Sequence, residues 1–122
     1  MKTALVILVL LATCRVYGTA NLDPVVYIEA TPSSPVVGQT VTLDGSTSYD
    51  PDDPNVAIVS YGWTLPGQAF CISGINTSIA KCKLNTPGIY TVSLTAEDDE
   101  GSYTTEDYQI TVAAATNTIW YV

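Results

Sequence analysis

"GIYTVSLTAEDDEGSYTTEDYQITV", residues 88–112, holds two alternating runs joined by a short acidic loop. Tyr90, Val92, Leu94 and Ala96 alternate with Thr91, Ser93 and Thr95. Apolar residues at every second position describe a strand with one face buried and one face wet. Asp98-Asp99-Glu100-Gly101 turns the chain, and Gly101 is free to adopt a positive φ there. Tyr103 to Val112 returns as a second strand, with Tyr108, Ile110 and Val112 inward. A strand and its return this close in sequence form an antiparallel hairpin.

The same period recurs towards the N-terminus. Val26, Ile28 and Ala30 share one face of a first strand, and Pro32 and Pro35 break it because each lacks an amide donor. Val41 and Leu43 alternate with Thr40 and Thr42 in a second strand. Val59, Tyr61, Trp63 and Leu65 share one face of a third, which stops at Pro66-Gly67. Two short edge strands are expected near 70–72 and 78–83. No stretch keeps a helical period over three turns. About seven short strands at regular spacing predict an all-β fold, an immunoglobulin-like antiparallel β-sandwich. Its expected core is Trp63 against Val41, Leu43, Tyr90, Val92, Leu94 and Ile110.

The chain is 122 residues long, the size of one domain. Residues 1–18 read as a secretory signal peptide. Lys2 is followed by an apolar run from Ala4 to Ala12, and small residues precede a cut after Gly18. That run is too short to cross a bilayer as a helix, so no transmembrane segment is expected. Two other readings stay open: a buried N-terminal strand, and lipidation at Cys14 behind Leu11-Ala12-Thr13. The β-sandwich is expected over residues 24–113, with an apolar tail at 114–122.

Loss of the leader removes Lys2 and Arg15, which leaves Lys81 and Lys83 against 12 acidic residues, a charge of 2 − 12 = −10. Such a surface repels nucleic acid and anionic membranes and attracts cations. There is no histidine, so imidazole catalysis and imidazole metal ligation are excluded. Carboxylates on loop tips without a cleft do not make a glycosidase pair, so no enzyme activity is expected. Cys71 and Cys82 are expected to form a disulfide in an oxidising compartment, worth about 3 kcal/mol for a loop of this size. The alternative is a pair of buried free thiols. Asn76-Thr77-Ser78 is an N-glycosylation sequon inside that loop, of use only in a eukaryotic host.

Three blocks together carry a resemblance. "GQTVTLDGSTSYDPDD" (38–53), "IVSYGW" (58–63) and "PGIYTVSLTAEDDEG" (87–101) resemble the polycystic-kidney-disease (PKD) domain family in the family's own order. The resemblance implies an immunoglobulin-like sandwich in a secreted or cell-surface protein. It also implies an adhesion, spacer or ligand-binding module rather than an enzyme. Many members follow the tryptophan with Asp-Phe-Gly-Asp-Gly. Here Thr64, Leu65, Pro66, Gly67 and Gln68 stand instead, so one acidic residue is missing.

In such a sandwich the loop after the second strand and the loop between the last two strands share one end. Asp50, Asp52 and Asp53 are then expected beside Asp98, Asp99 and Glu100. Some PKD domains bind calcium through the matching loop, so Asp50, Asp52, Asp98 and Asp99 are the candidate calcium ligands. A plain solvated acidic turn is the competing reading. Asp44, before Gly45-Ser46, is expected to bond backbone amides in a bend.

The expected partner is an extracellular protein or glycan. Tyr49, Tyr103 and Tyr108 are candidate stacking rings, although Tyr108 also reads as inward. Self-assembly is a further expectation. The apolar end Ile119-Trp120-Tyr121-Val122 suits strand addition to a neighbour's sheet edge, which would make the chain a subunit of a surface assembly.

Overall fold

The structure is a computed structural model that describes residues 20–115. The proposed signal peptide, Cys14 and the apolar end of the tail, residues 116–122, lie outside the described residues.

Alternating burial produces seven strands: β1 Glu29–Thr31, β2 Thr40–Asp44, β3 Ser60–Thr64, β4 Ala69–Ser73, β5 Ile79–Leu84, β6 Gly88–Glu97 and β7 Tyr103–Val112. They form two antiparallel sheets, one in the order β1-β2-β5-β4 and the other β3-β6-β7. The β6–β7 hairpin is paired without a slip from Gly88↔Val112 to Glu97↔Tyr103. Gly101 in its loop has φ 91°, a conformation that suits glycine.

The core lies between the sheets. Val41, Leu43, Ala80, Cys82 and Leu84 come from one layer, and Trp63, Tyr90, Val92, Leu94 and Ile110 from the other; all are buried. Gly45 lets the chain after β2 pass over this core, because a Cβ there would fall on Leu94 Cδ2. Tyr90 closes a corner: its hydroxyl donates to the Thr86 carbonyl oxygen at 2.7 Å, accepts from the Thr86 amide at 3.3 Å, and meets the Thr86 hydroxyl. Cys71 and Cys82 face each other across β4 and β5 and are joined by a disulfide.

Three local expectations differ from the structure. β5 is not an edge strand; it lies between β2 and β4, because Ala80, Cys82 and Leu84 all point into the core. Val59 is 57% exposed, not inward. β3 begins only at Ser60, and the irregular chain before it turns Ile58 inward instead. The first strand is shifted: Val25 forms only a bridge to Tyr49, and regular pairing starts at Glu29.

Candidate functional site

β2 and β5 meet at Asp44↔Ile79, and β6 and β7 meet at Glu97↔Tyr103; beyond these pairs lie the acidic loops of one pole. The four proposed calcium ligands are not equivalent there. Asp50 and Asp98 are each only 1% exposed, whereas Asp52 is half-buried and Asp99 is exposed.

Both buried carboxylates use one oxygen to hold their own loop. Asp50 Oδ1 accepts from the amides of Asp52 (3.1 Å) and Asp53 (3.3 Å). Asp98 Oδ1 accepts from the amides of Glu100 and Ser102, both at 2.9 Å. These are Asx-type turns; Asp98 stands directly after β6, and Asp50 follows Tyr49 of the isolated bridge to Val25. The second oxygen of each, Asp50 Oδ2 and Asp98 Oδ2, is buried without a hydrogen-bond partner among the described residues. Buried polar atoms without partners are rare and costly, and a carboxylate oxygen especially so.

Other groups close in on the pole. The segment entering the domain crosses it, where the Leu22 amide donates to Asp52 Oδ1 (3.2 Å) and the Asn21 amide nitrogen donates to Ser102 Oγ (2.8 Å). Glu100 is pushed above its ordinary carboxyl value, first by lost hydration and then by the negative charges of Asp52, Asp99, Asp98 and Asp50. Its side chain is exposed, so the four charges are the part of that effect a cation would remove. Among the described residues no three His, Cys, Asp or Glu side chains converge as a ready-made metal cage. Carboxylate oxygens are hard donors, which match hard cations better than soft metals.

Asp44 belongs to a separate bend. Its Oδ1 accepts from the Ser46 amide at 2.8 Å, and the Ser46 hydroxyl and amide hold its carboxyl below the ordinary value. Asn76 of the sequon is exposed. Of the three candidate stacking rings, Tyr49 and Tyr103 are exposed, and Tyr108 is half-buried against the core. The sequence reading missed the partner of Tyr49. Tyr27 lies beside it with ring centroids 6.4 Å apart and planes 21° from parallel. The signal for Tyr27 was its place between inward Val26 and Ile28.

Among the described residues no helix is long and apolar enough to cross a membrane. No curated protein matches the chain. Solved structures do. A structure from work on the promiscuous specificity of carbohydrate-binding modules of the β-sandwich superfamily matches with a TM-score of 0.66 and 26% identity. That match covers 80% of this chain, which spans only 37% of the other. The PKD1 domain of Vibrio anguillarum Epp matches at 27% identity and TM-score 0.59, over 78% of this chain and 99% of that domain. The PKD1 domain of the Vibrio cholerae metalloprotease PrtV matches at 28% and 0.56, over 75% and 98%. The family description "K319L-like, PKD domain" matches residues 32–112. That span runs from the first proline break to the end of β7 and includes both acidic loops and the Trp63 strand, and by it the chain belongs to the PKD-domain family.

Proposed function

We propose that the chain is a non-catalytic binding module of an extracellular protein, and that a calcium ion stiffens its acidic pole. The module part rests on the family and on the likeness to structures of carbohydrate-binding modules. The disulfide between Cys71 and Cys82 fits an oxidising, extracellular setting.

The calcium part rests on one observation, the two buried Oδ2 atoms of Asp50 and Asp98 that lack partners. These two carboxylates would hold the ion. Glu100 feels the charges of Asp50, Asp52, Asp98 and Asp99, so one electrostatic field joins the two loops. Bound calcium would offset the charge repulsion that adds to lost hydration in raising Glu100.

Titration of the folded protein with calcium tests this. An extracellular-type site has a Kd of about 10⁻⁴–10⁻³ M. At about 10 mM calcium such a site adds about 2 kcal/mol, a rise of several degrees in Tm. Asp50→Asn and Asp98→Asn should each abolish the rise. No heat on titration together with an unchanged Tm would refute calcium binding.

A further inference from the structure

The acidic pole leaves one sheet face unexplained. In the β1-β2-β5-β4 sheet, burial alternates so that Ala30, Val41, Leu43, Ala80, Cys82 and Leu84 point inward. The other set therefore points out: Glu29 and Thr31, Thr40, Thr42 and Asp44, Ile79, Lys81 and Lys83, and Phe70.

Lys81 and Lys83 are the only basic residues among the described residues, and both lie on this face, two positions apart on β5. That spacing is about 6.8 Å. The register gives neither of them a carboxylate. Lys81 pairs with Thr42 on one side and Ser73 on the other. Lys83 pairs with Thr40 and Phe70. Twelve carboxylates were available in the chain, and the nearest on this face, the diagonal Asp44, has one oxygen engaged by its own bend. Two cations side by side, with no ion pair among the described residues, suit an anionic partner in an acidic protein.

The neighbours say which kind of anion. Phe70, beside Lys83, is 49% exposed, although a buried position would favour so large a ring. At the far edge Tyr27 and Tyr49 lie nearly parallel and about half exposed. Threonine hydroxyls from β1 and β2 line the ground between. Flat rings accept the C–H face of a pyranose, hydroxyls bond its hydroxyls, and ammonium groups pair with its acid groups. A peptide would instead seek a sheet edge, where backbone groups are open.

We propose that this face binds an acidic polysaccharide, with uronate or sulfate groups on Lys81 and Lys83 and a sugar ring on Phe70. This rests on the reading of the chain as a binding module and names the class of its ligand. The acidic pole weighs mostly on Lys81: Lys83 stands four residues along β5 from Ile79 at the acidic end, about 13.6 Å, beyond the screening length of about 8 Å at physiological salt.

Affinity electrophoresis tests the proposal in gels that contain polygalacturonate, heparin or a neutral glucan. EDTA is present throughout, so that calcium cannot bridge a polyanion to the pole. The expected result is retardation by at least one of the two acidic polymers and none by the glucan. Lys81→Gln and Lys83→Gln should each weaken binding about tenfold, the worth of one charge-assisted contact. Phe70→Ala should weaken it with the Tm unchanged. Retardation that survives the double lysine change, or equal retardation by the glucan, would overturn this site and leave a binding module standing. Competition by polyglutamate as strong as by oligogalacturonate would overturn the sugar in favour of an acidic peptide. No retardation in any gel would overturn both the site and the glycan reading of the module, while the calcium titration stands apart.

Discussion

The indole Nε1–H of Trp63 donates to the carbonyl oxygen of Thr77 at 2.9 Å, which fastens β3 of one sheet to the β4–β5 hairpin of the other. The backbone repeats the link, since the Trp63 amide donates to the Ile75 carbonyl oxygen, also at 2.9 Å. The Thr77 hydroxyl lies in the same turn within reach of two carbonyl oxygens, of Ile79 at 2.7 Å and of Gly74 at 3.0 Å, and its one proton serves either. One side chain thus fills the core and satisfies a turn across the gap between layers.

Trp63→Ala should cost about 3–5 kcal/mol, because it removes the largest core ring and leaves a cavity. Trp63→Phe should cost less, and part of its cost is the Thr77 oxygen left without the indole donor. Denaturant titration of the three proteins checks the order. Equal stability of the Phe variant and the wild type would show that the indole bond contributes nothing.

Two glycines should respond in opposite ways. Gly45→Ala places a methyl on Leu94 Cδ2, with Trp63 Cζ2 at 3.4 Å, and should destabilise by about 1–3 kcal/mol through overpacking. Gly62 lies in β3 between outward Ser60 and Thr64, and an added Cβ meets nothing within 4 Å. Gly62→Ala should be neutral or stabilising by up to about 1 kcal/mol. Thermal melts of both variants decide it.

Tyr90→Phe should cost about 1–2 kcal/mol, because the ring stays and the hydroxyl that bonds Thr86 is lost. Chemical denaturation should show a lower midpoint and an unchanged slope, since the surface exposed on unfolding stays the same.

The pH dependence follows from Glu100. Its folded carboxyl value is raised, so the folded state holds the proton more tightly than the unfolded chain does. Stability therefore falls as pH rises from the ordinary glutamate value, ~4.3, through the raised folded value. Melts in EDTA should show a higher Tm just above pH 4.3 than at neutrality, and Glu100→Gln should flatten that difference. Asp44 acts in a lower window with the opposite sign. Its folded value is depressed, so its contribution is present above the ordinary value and is lost as pH falls below it.

The strands were readable because burial on one face leaves a period of two, clearest in β2 and β6, where threonine and serine alternate with buried apolar residues. The order of strands in a sheet leaves no such mark. The run at 78–83 read as an edge, but it lies between β2 and β4, and its lysines only show that its outer face meets water. The acidic pole was legible as a cluster of residue types and not as an arrangement. Asp50 and Asp99 read alike in the sequence, and only burial separates a turn anchor with an unpaired oxygen from an exposed side chain. Tyr27 escaped notice because its partner, Tyr49, is 22 positions away and reaches it through the bend at Gly45.

The Cys71–Cys82 bond ties the outermost strand of the larger sheet to its neighbour beside the point where the pairing slips between Cys71 and Ser73. A protease that cuts the exposed turn at 74–78 therefore releases no fragment. The two pieces travel as one species until a thiol reagent separates them, and the sheet margin stays closed around the wound.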